Sequence, residues 1–247
     1  MPPGPQPLPP GPLPLRCCLL SGGASRRMGR DKALLPHPEG GTWLERQLRL
    51  LAELGAPLSL LSGWPTHLER SAALASPLAA RGVALELLLE PGGGQGPLVA
   101  LGHVMNLHPG ERLLLCPVDM PALTPSSLAA LAEAAAAAPG AIWIATTDQI
   151  PARPQPLLGL YPSDAHHHQS LRDALARGER ALRRWLAGER VHTLPLPAAA
   201  LANVNTPEEL NRWQGDFKPR PDWSATRCSP CSPQSRRWFP RSRRCRC

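Results

Sequence analysis

Five short apolar runs, Arg16–Leu20, Leu58–Leu61, Val83–Leu89, Arg112–Cys116 and Ala141–Ala145, recur along the chain with longer, helix-patterned stretches between them. Runs of this length that do not alternate with polar residues are what strands buried on both faces look like. Parallel strands need a crossover between them, and the intervening stretches are long enough to supply one. The pattern predicts an α/β fold in three layers, with a mostly parallel central sheet. A chain of 247 residues can bury a full core and suits one such domain with extensions better than two.

Helix boundaries are written locally. Thr42 and Glu45 have capping-box spacing, Leu44, Leu48, Leu51 and Leu54 line one helical face, and Gly55 ends the segment. Ser126–Ala138 is mostly alanine, which argues for helix and says nothing of chemistry. Beyond Ala145 the pattern loosens: Pro156–Tyr161 is compatible with a strand, Gly178 divides Leu171–Ala187 into two helices, and Val191–Leu196 reads as a strand. Thr206, Pro207 and Glu209 then occupy the cap, first and third positions of a last helix.

The ends differ from this body. Eight prolines in Pro2–Pro14 exclude helix and central strand, so residues 1–14 are expected to be an extended, disordered leader and the fold to occupy 15–215. The formal charge of +8 would suggest a nucleic-acid or membrane partner if evenly spread. Nine of the 27 basic residues and only two of the 19 acidic ones fall in residues 216–247, which leaves 18 basic and 17 acidic residues for the rest. A nearly neutral body argues against nucleic acid, and the Arg-, Ser- and Pro-rich tail is expected to be disordered. Its Cys228, Cys231, Cys245 and Cys247 lack the apolar surroundings of a zinc knuckle, while Cys17, Cys18 and Cys116 read as reduced core thiols. No apolar stretch approaches the ~20 residues that span a bilayer, and a cytoplasmic protein is expected.

The chemistry should lie at the carboxyl ends of the strands, where open α/β sheets bind ligands. After the first strand comes Leu20-Ser21-Gly22-Gly23-Ala24-Ser25-Arg26-Arg27-Met28-Gly29-Arg30-Asp31-Lys32. Its glycines let backbone N–H groups approach phosphate oxygens, and Arg26, Arg27 and Lys32 supply the charge a triphosphate needs. It is neither a P-loop nor a dinucleotide GxGxxG turn. Asp119, between Pro117 and Pro121 after the fourth strand, offers a hard oxygen ligand suited to Mg²⁺. Glu90 to Leu98, with Gly96, makes a second glycine loop at the same edge, able to wrap a base or ribose. His166, His167 and His168 point apart as neighbours and are expected to form a solvated run; Trp64, Trp143 and Trp185 are expected to pack.

LSGGASRRMGRDKALL, QGPLVAL, CPVDMPAL and NVNTPEELNRW together resemble the MobA family, the molybdenum cofactor guanylyltransferases, over about Leu19 to Gln214. The resemblance implies a Rossmann-like three-layer nucleotidyltransferase fold, with residues 15–145 as its nucleotide-binding part and 146–215 as its pterin-side part. It implies transfer of GMP from GTP to molybdopterin with Mg²⁺, and as further partners molybdopterin-delivering proteins and molybdoenzymes. The implied nucleotide contacts are Leu20, Ser21, Gly22, Gly23, Lys32, Ser62, Glu90, Gly96 and Asp119, with Asp119 holding the metal. Arg26, Arg27, Lys32 and Asp119 would act on the reacting phosphates, and Arg180, Asn203 and Asn205 would face the pterin. Three positions depart from the family pattern: Ser62 replaces an Asn, Glu90 an Asp, and Gly178–Ala181 carries one arginine where two are usual.

Two rival readings remain at this level. One keeps the fold and changes the substrate, as in a molybdopterin cytidylyltransferase or another nucleotidyltransferase. The other is a non-catalytic nucleotide- or RNA-binding protein acting through its tail. Deleting Asp216–Cys247 separates the classes: the transferase reading expects GMP transfer within about twofold of the full chain, and a dead truncation overturns it.

Overall fold

The computed structural model describes residues 13–23, 28–92 and 94–216. Both the proline-rich leader up to residue 12 and the tail from 217 lie outside the described residues, as do Arg26 and Arg27.

Seven strands form one sheet, β1 (Leu15–Leu20), β2 (Leu58–Ser62), β3 (Leu85–Leu89), β4 (Arg112–Pro117), β5 (Ile142–Thr147), β6 (Pro154–Pro162) and β7 (Val191–Leu196), in the order β3-β2-β1-β4-β6-β5-β7. All neighbours are parallel except at β6, which runs antiparallel between β4 and β5. The sheet order follows from chain length: β5 and β6 are joined by only six residues, too few for a parallel crossover.

Among the described residues eight helices accompany the sheet: α1 (Trp43–Ala52), α2 (Pro65–Ala72), α3 (Ala75–Ala80), α4 (Pro97–Leu107), α5 (Pro125–Ala136), α6 (Ala165–Ala176), α7 (Leu182–Leu186) and α8 (Pro207–Asp216). Alternation along each strand sorts the core into two faces. Cys17, Leu19, Leu114 and Cys116 pack with α1 and α5, whereas Cys18, Leu113 and Leu115 pack with α4, α6 and α7. The expected three layers are thus produced by a period-2 division of continuously apolar strands. A third cluster, Met28, Leu35, Trp43, Val204 and Leu210, sits apart from both.

The local signals act as the spacing predicts. Thr42 Oγ1 accepts from Glu45 N and the Glu45 carboxylate accepts from Thr42 N, closing the capping box of α1. Thr206 and Glu209 repeat the device at α8, where Glu209 also accepts from Asn205 N at 2.6 Å. Only the histidine run behaves otherwise. His166 is exposed, but His167 is buried against the Asp164 cap of α6 (Nδ1–Oδ1 2.8 Å), and His168 Nε2 lies 2.9 Å from Ser163 Oγ. His166 approaches Glu189 at 3.5 Å, so the run caps and ties a helix rather than merely meeting water.

Burial raises the thiols of Cys17 and Cys18 well above their ordinary value and that of Cys116 to about 12, consistent with inert core cysteines. Among the described residues no helix is long and apolar enough to cross a membrane.

Pro156 sits inside an interior strand because β6 breaks its ladder there; Pro154 and Pro162 stand at the strand's two ends. Ile144 pairs with Gly159 and Ala145 with Gln155, so Pro156, Leu157 and Leu158 bulge where a proline's missing N–H costs no ladder bond. Gly159 closes the bulge: a Cβ on it would lie 2.6 Å from the Trp143 carbonyl oxygen, a backbone atom that cannot give way cheaply. Gly159→Ala is expected to cost about 1–3 kcal/mol by overpacking, read as a melting temperature lower by roughly 2–4 °C per kcal/mol; an unchanged melting curve contradicts this role for the bulge.

Candidate active site

β1, β2, β3 and β4 all end at one edge, and a cavity of about 290 Å³ opens there between their following loops. Ser21 leaves β1 with its N–H on the Leu61 carbonyl, and Glu90 leaves β3 with its N–H on the Ser62 carbonyl. Those two bonds extend the ladder one residue past the strands and fix the loops at their roots.

Leu20, Ser21, Gly22, Gly23, Lys32, Glu90, Gly96 and Asp119 all line this cavity. Lys32 Nζ lies 3.2 Å from Asp119 Oδ2 and donates to Asn205 Oδ1 at 2.7 Å. The same region is pinned by backbone, since Val204 N donates to the Asp119 carbonyl at 3.0 Å. A cation, a carboxylate and an amide from three remote parts of the chain therefore meet at one point.

Glu90 is only 8% exposed and its carboxylate rests against Gly22, where a Cβ would come within 2.6 Å of Oε2. Gly96 has φ +104°, and a Cβ there would lie 3.0 Å from the Arg180 carbonyl oxygen. Both glycines allow close approach of backbone that any other residue would hold apart.

A family model described as the MobA-like NTP transferase domain matches residues 17–194. The chain belongs to that family. A protein of Rhodopirellula baltica named "probable molybdenum cofactor guanylyltransferase" is 36% identical over 202 residues, covering 81% of this chain and 91% of its own. One of the same name from Trichormus variabilis is 30% identical over 215 residues, covering 82% and 92%. The solved structure of molybdopterin-guanine dinucleotide biosynthesis protein A from Archaeoglobus fulgidus matches with a TM-score of 0.61 at 21% identity, covering 80% of this chain and 95% of that one. A 4-diphosphocytidyl-2C-methyl-D-erythritol synthase from Anaerococcus prevotii reaches the same 0.61 at 9% identity, covering 82% and 97%. The fold alone therefore does not choose a substrate.

Four of the residues assigned from sequence do not line the cavity of this MobA-like domain. Ser62 is fully buried; its hydroxyl donates to the Ser21 carbonyl at 2.8 Å and accepts from Trp64 N at 3.1 Å, so it faces inward instead of toward a base. Arg180 is exposed, and its guanidinium donates to the carbonyls of Leu175 and Glu179 in its own turn. What abuts the second glycine loop is the Arg180 carbonyl. Asn205 Oδ1 accepts from Lys32 Nζ, and Asn203 Nδ2 donates to Gln155 Oε1 at 3.2 Å.

The sequence reading also missed wall residues. Asp31, His67 and Leu157 line the cavity. Leu157 arrives through the β6 bulge and His67 from the first turn of α2, and neither carries a local signal of that placement. Trp143 stacks on His192 (4.7 Å between centroids) and Trp185 on Tyr161 (6.2 Å), as packing predicts, whereas Trp64 is 45% exposed.

The contact between Gly22 and Glu90 can be tested directly. A methyl at Gly22 displaces a flexible carboxylate and not backbone, so Gly22→Ala should raise the KM for nucleotide about tenfold, equivalent to ~1.4 kcal/mol, with the melting temperature unchanged. Unaltered KM would separate Glu90 from nucleotide binding.

Proposed function

We propose that the chain transfers GMP from GTP to molybdopterin, with Mg²⁺ at Asp119, releasing pyrophosphate and forming the guanine dinucleotide form of the cofactor. The observation that carries this reading is the position of Lys32, in contact at once with Asp119 on the nucleotide side and with Asn205 of NVNTPEEL. A cation at that seam lies where two anionic substrates would have to be brought together.

In the reaction an oxygen of the acceptor's terminal phosphate bonds to the α-phosphorus of GTP. The bond from that phosphorus to the β-phosphate bridging oxygen breaks, and its electron pair leaves with pyrophosphate. The nucleophile is already an anion, so no general base is required; the obstacles are mutual repulsion and in-line placement. Lys32 offsets repulsion at the junction, and Arg26 and Arg27 would add charge from the same loop. The glycine backbone at Gly22 and Gly23 lets phosphate oxygens approach N–H donors.

The Asp119 carboxylate lines the cavity and is an oxygen donor that fits a hard divalent cation. Such an ion, when bound, offsets charge on the α-phosphate and the departing pyrophosphate. Asn203, Asn205 and Arg180 belong to the pterin side in this reading. Asn205 holds Lys32 there, and Arg180 shapes the second glycine loop through its carbonyl.

Glu90 supports guanine as the base. A carboxylate accepts two adjacent N–H donors, which the N1–H and N2 amine of guanine provide side by side; cytosine offers one exocyclic amine beside acceptors. Ser62, turned inward, gives that role to Glu90, whose N–H donates to the Ser62 carbonyl.

Pyrophosphate release with molybdopterin and Mg²⁺ is expected to be at least about tenfold faster with GTP than with CTP. Asp119→Ala is expected to lower it at least about 100-fold with the fold intact. Substantial GMP transfer by Asp119→Ala, or a preference for CTP, overturns the corresponding half of the proposal.

A further inference from the structure

His67 sits one turn into α2, 1% exposed, with both ring nitrogens engaged. Nε2 lies 2.6 Å from Asp31 Oδ2. Nδ1 lies 2.9 Å from Ser21 Oγ, 2.8 Å from Ser62 Oγ and 3.1 Å from the Ser21 carbonyl oxygen. A carboxylate only accepts, so the nitrogen facing Asp31 carries a proton; at Nδ1 the Ser21 hydroxyl can donate, the single proton of Ser62 being given to the Ser21 carbonyl.

The partners of His67 are the two ends of the basic glycine loop. Ser21 begins that loop, directly after β1. Asp31 precedes Lys32 at its far end and spends its other oxygen on the Ala33 N–H at 3.0 Å, fixing the turn that presents Lys32. Ser62 joins the same network from β2 and is one hydrogen bond from Glu90, whose N–H donates to the Ser62 carbonyl. His67 thus bridges Lys32 and the Glu90 wall from the cavity's own lining. A leucine would fill a dry core at this place without the desolvation cost of a buried imidazole, so the polar network calls for a reason beyond packing.

We propose that His67 is a positioning residue for transfer: it clamps the ends of the Ser21–Lys32 loop to each other, setting Lys32 through Asp31 and the Ser21 backbone through Ser21 and Ser62. The inference rests on the nucleotidyl-transfer reading and deepens it, since the clamp acts on the nucleotide and not on the acceptor. It adds a determinant at a position where no motif stands.

The test uses the full chain, steady-state pyrophosphate release with GTP, Mg²⁺ and molybdopterin, and melting curves for each variant. His67→Ala is expected to lower kcat/KM for GTP about 30-fold, while the KM for molybdopterin stays within about twofold. His67→Gln, whose amide reaches toward Asp31, and His67→Asn, whose amide stays near the serines, should each recover part of the loss. They also serve as the readout if His67→Ala fails to fold. Asp31→Ala combined with His67→Ala should be no worse than either alone, because both break one clamp. GTP kinetics within twofold of the parent, or losses that multiply in the double variant, overturn the proposal. So does an equal change in the KM for both substrates. If the parent chain itself transfers no GMP, the function falls instead; GTP binding by titration calorimetry then decides the clamp, weakened in His67→Ala if it exists and unchanged if it does not.

Discussion

Lys32 is held by Asp119 at 3.2 Å and by Asn205 at 2.7 Å, and the rest of the site is arranged around that junction. An ammonium group has three donors, so one lysine can tie a carboxylate and an amide oxygen to the same point. Each of the three groups comes from a different part of the chain: the loop after β1, the loop after β4 and the segment before α8. The backbone bond from Val204 to Asp119 means that the amide is not delivered by a mobile arm. The separation between Lys32 and Asn205 is 173 residues, and no local interaction could have set it.

The two ends of the sheet are built for different purposes. At the amino ends of the strands, Arg16 pairs with Glu111 at 2.6 Å, Ser59 donates to Glu86 at 2.7 Å, and His108 approaches Glu86 at 2.8 Å. Those groups satisfy one another and leave little unspent. At the carboxyl ends, polar groups converge on open space with glycine on either side. The division follows from parallel strands, whose loops after the strand are long enough to vary and whose opposite ends are held close to the helices.

Much of this could be read from residues, and the limits have physical causes. Capping boxes at Thr42 and Thr206 are legible because both partners lie within one helical turn. β1, β2 and β4 are legible because two-sided burial demands unbroken apolar runs, whereas β3 has the same run at the sheet edge with no residue fully buried. The antiparallel insertion of β6 depends on a six-residue connection and on Pro156, which looks like a strand breaker until the bulge accommodates it. Ser62 is assigned to the nucleotide through the family resemblance alone; its direction is decided by Ser21 and His67, which no spacing rule links to it. His67 itself gave no signal at all, since a single histidine early in a helix is ordinary and its acid partner is 36 residues away.

The small cluster of Met28, Leu35, Trp43, Val204 and Leu210 has a consequence for how the protein comes into being. Met28 belongs to the first loop of the domain and Leu210 to its last helix, so the first loop cannot settle until the last helix has arrived. During synthesis, β1 to β4 can pair long before that, each strand meeting neighbours as it emerges. A nascent chain halted anywhere before α8 would hold a largely formed sheet and an unassembled catalytic edge. In this architecture the catalytic edge is completed only once α8 has been made.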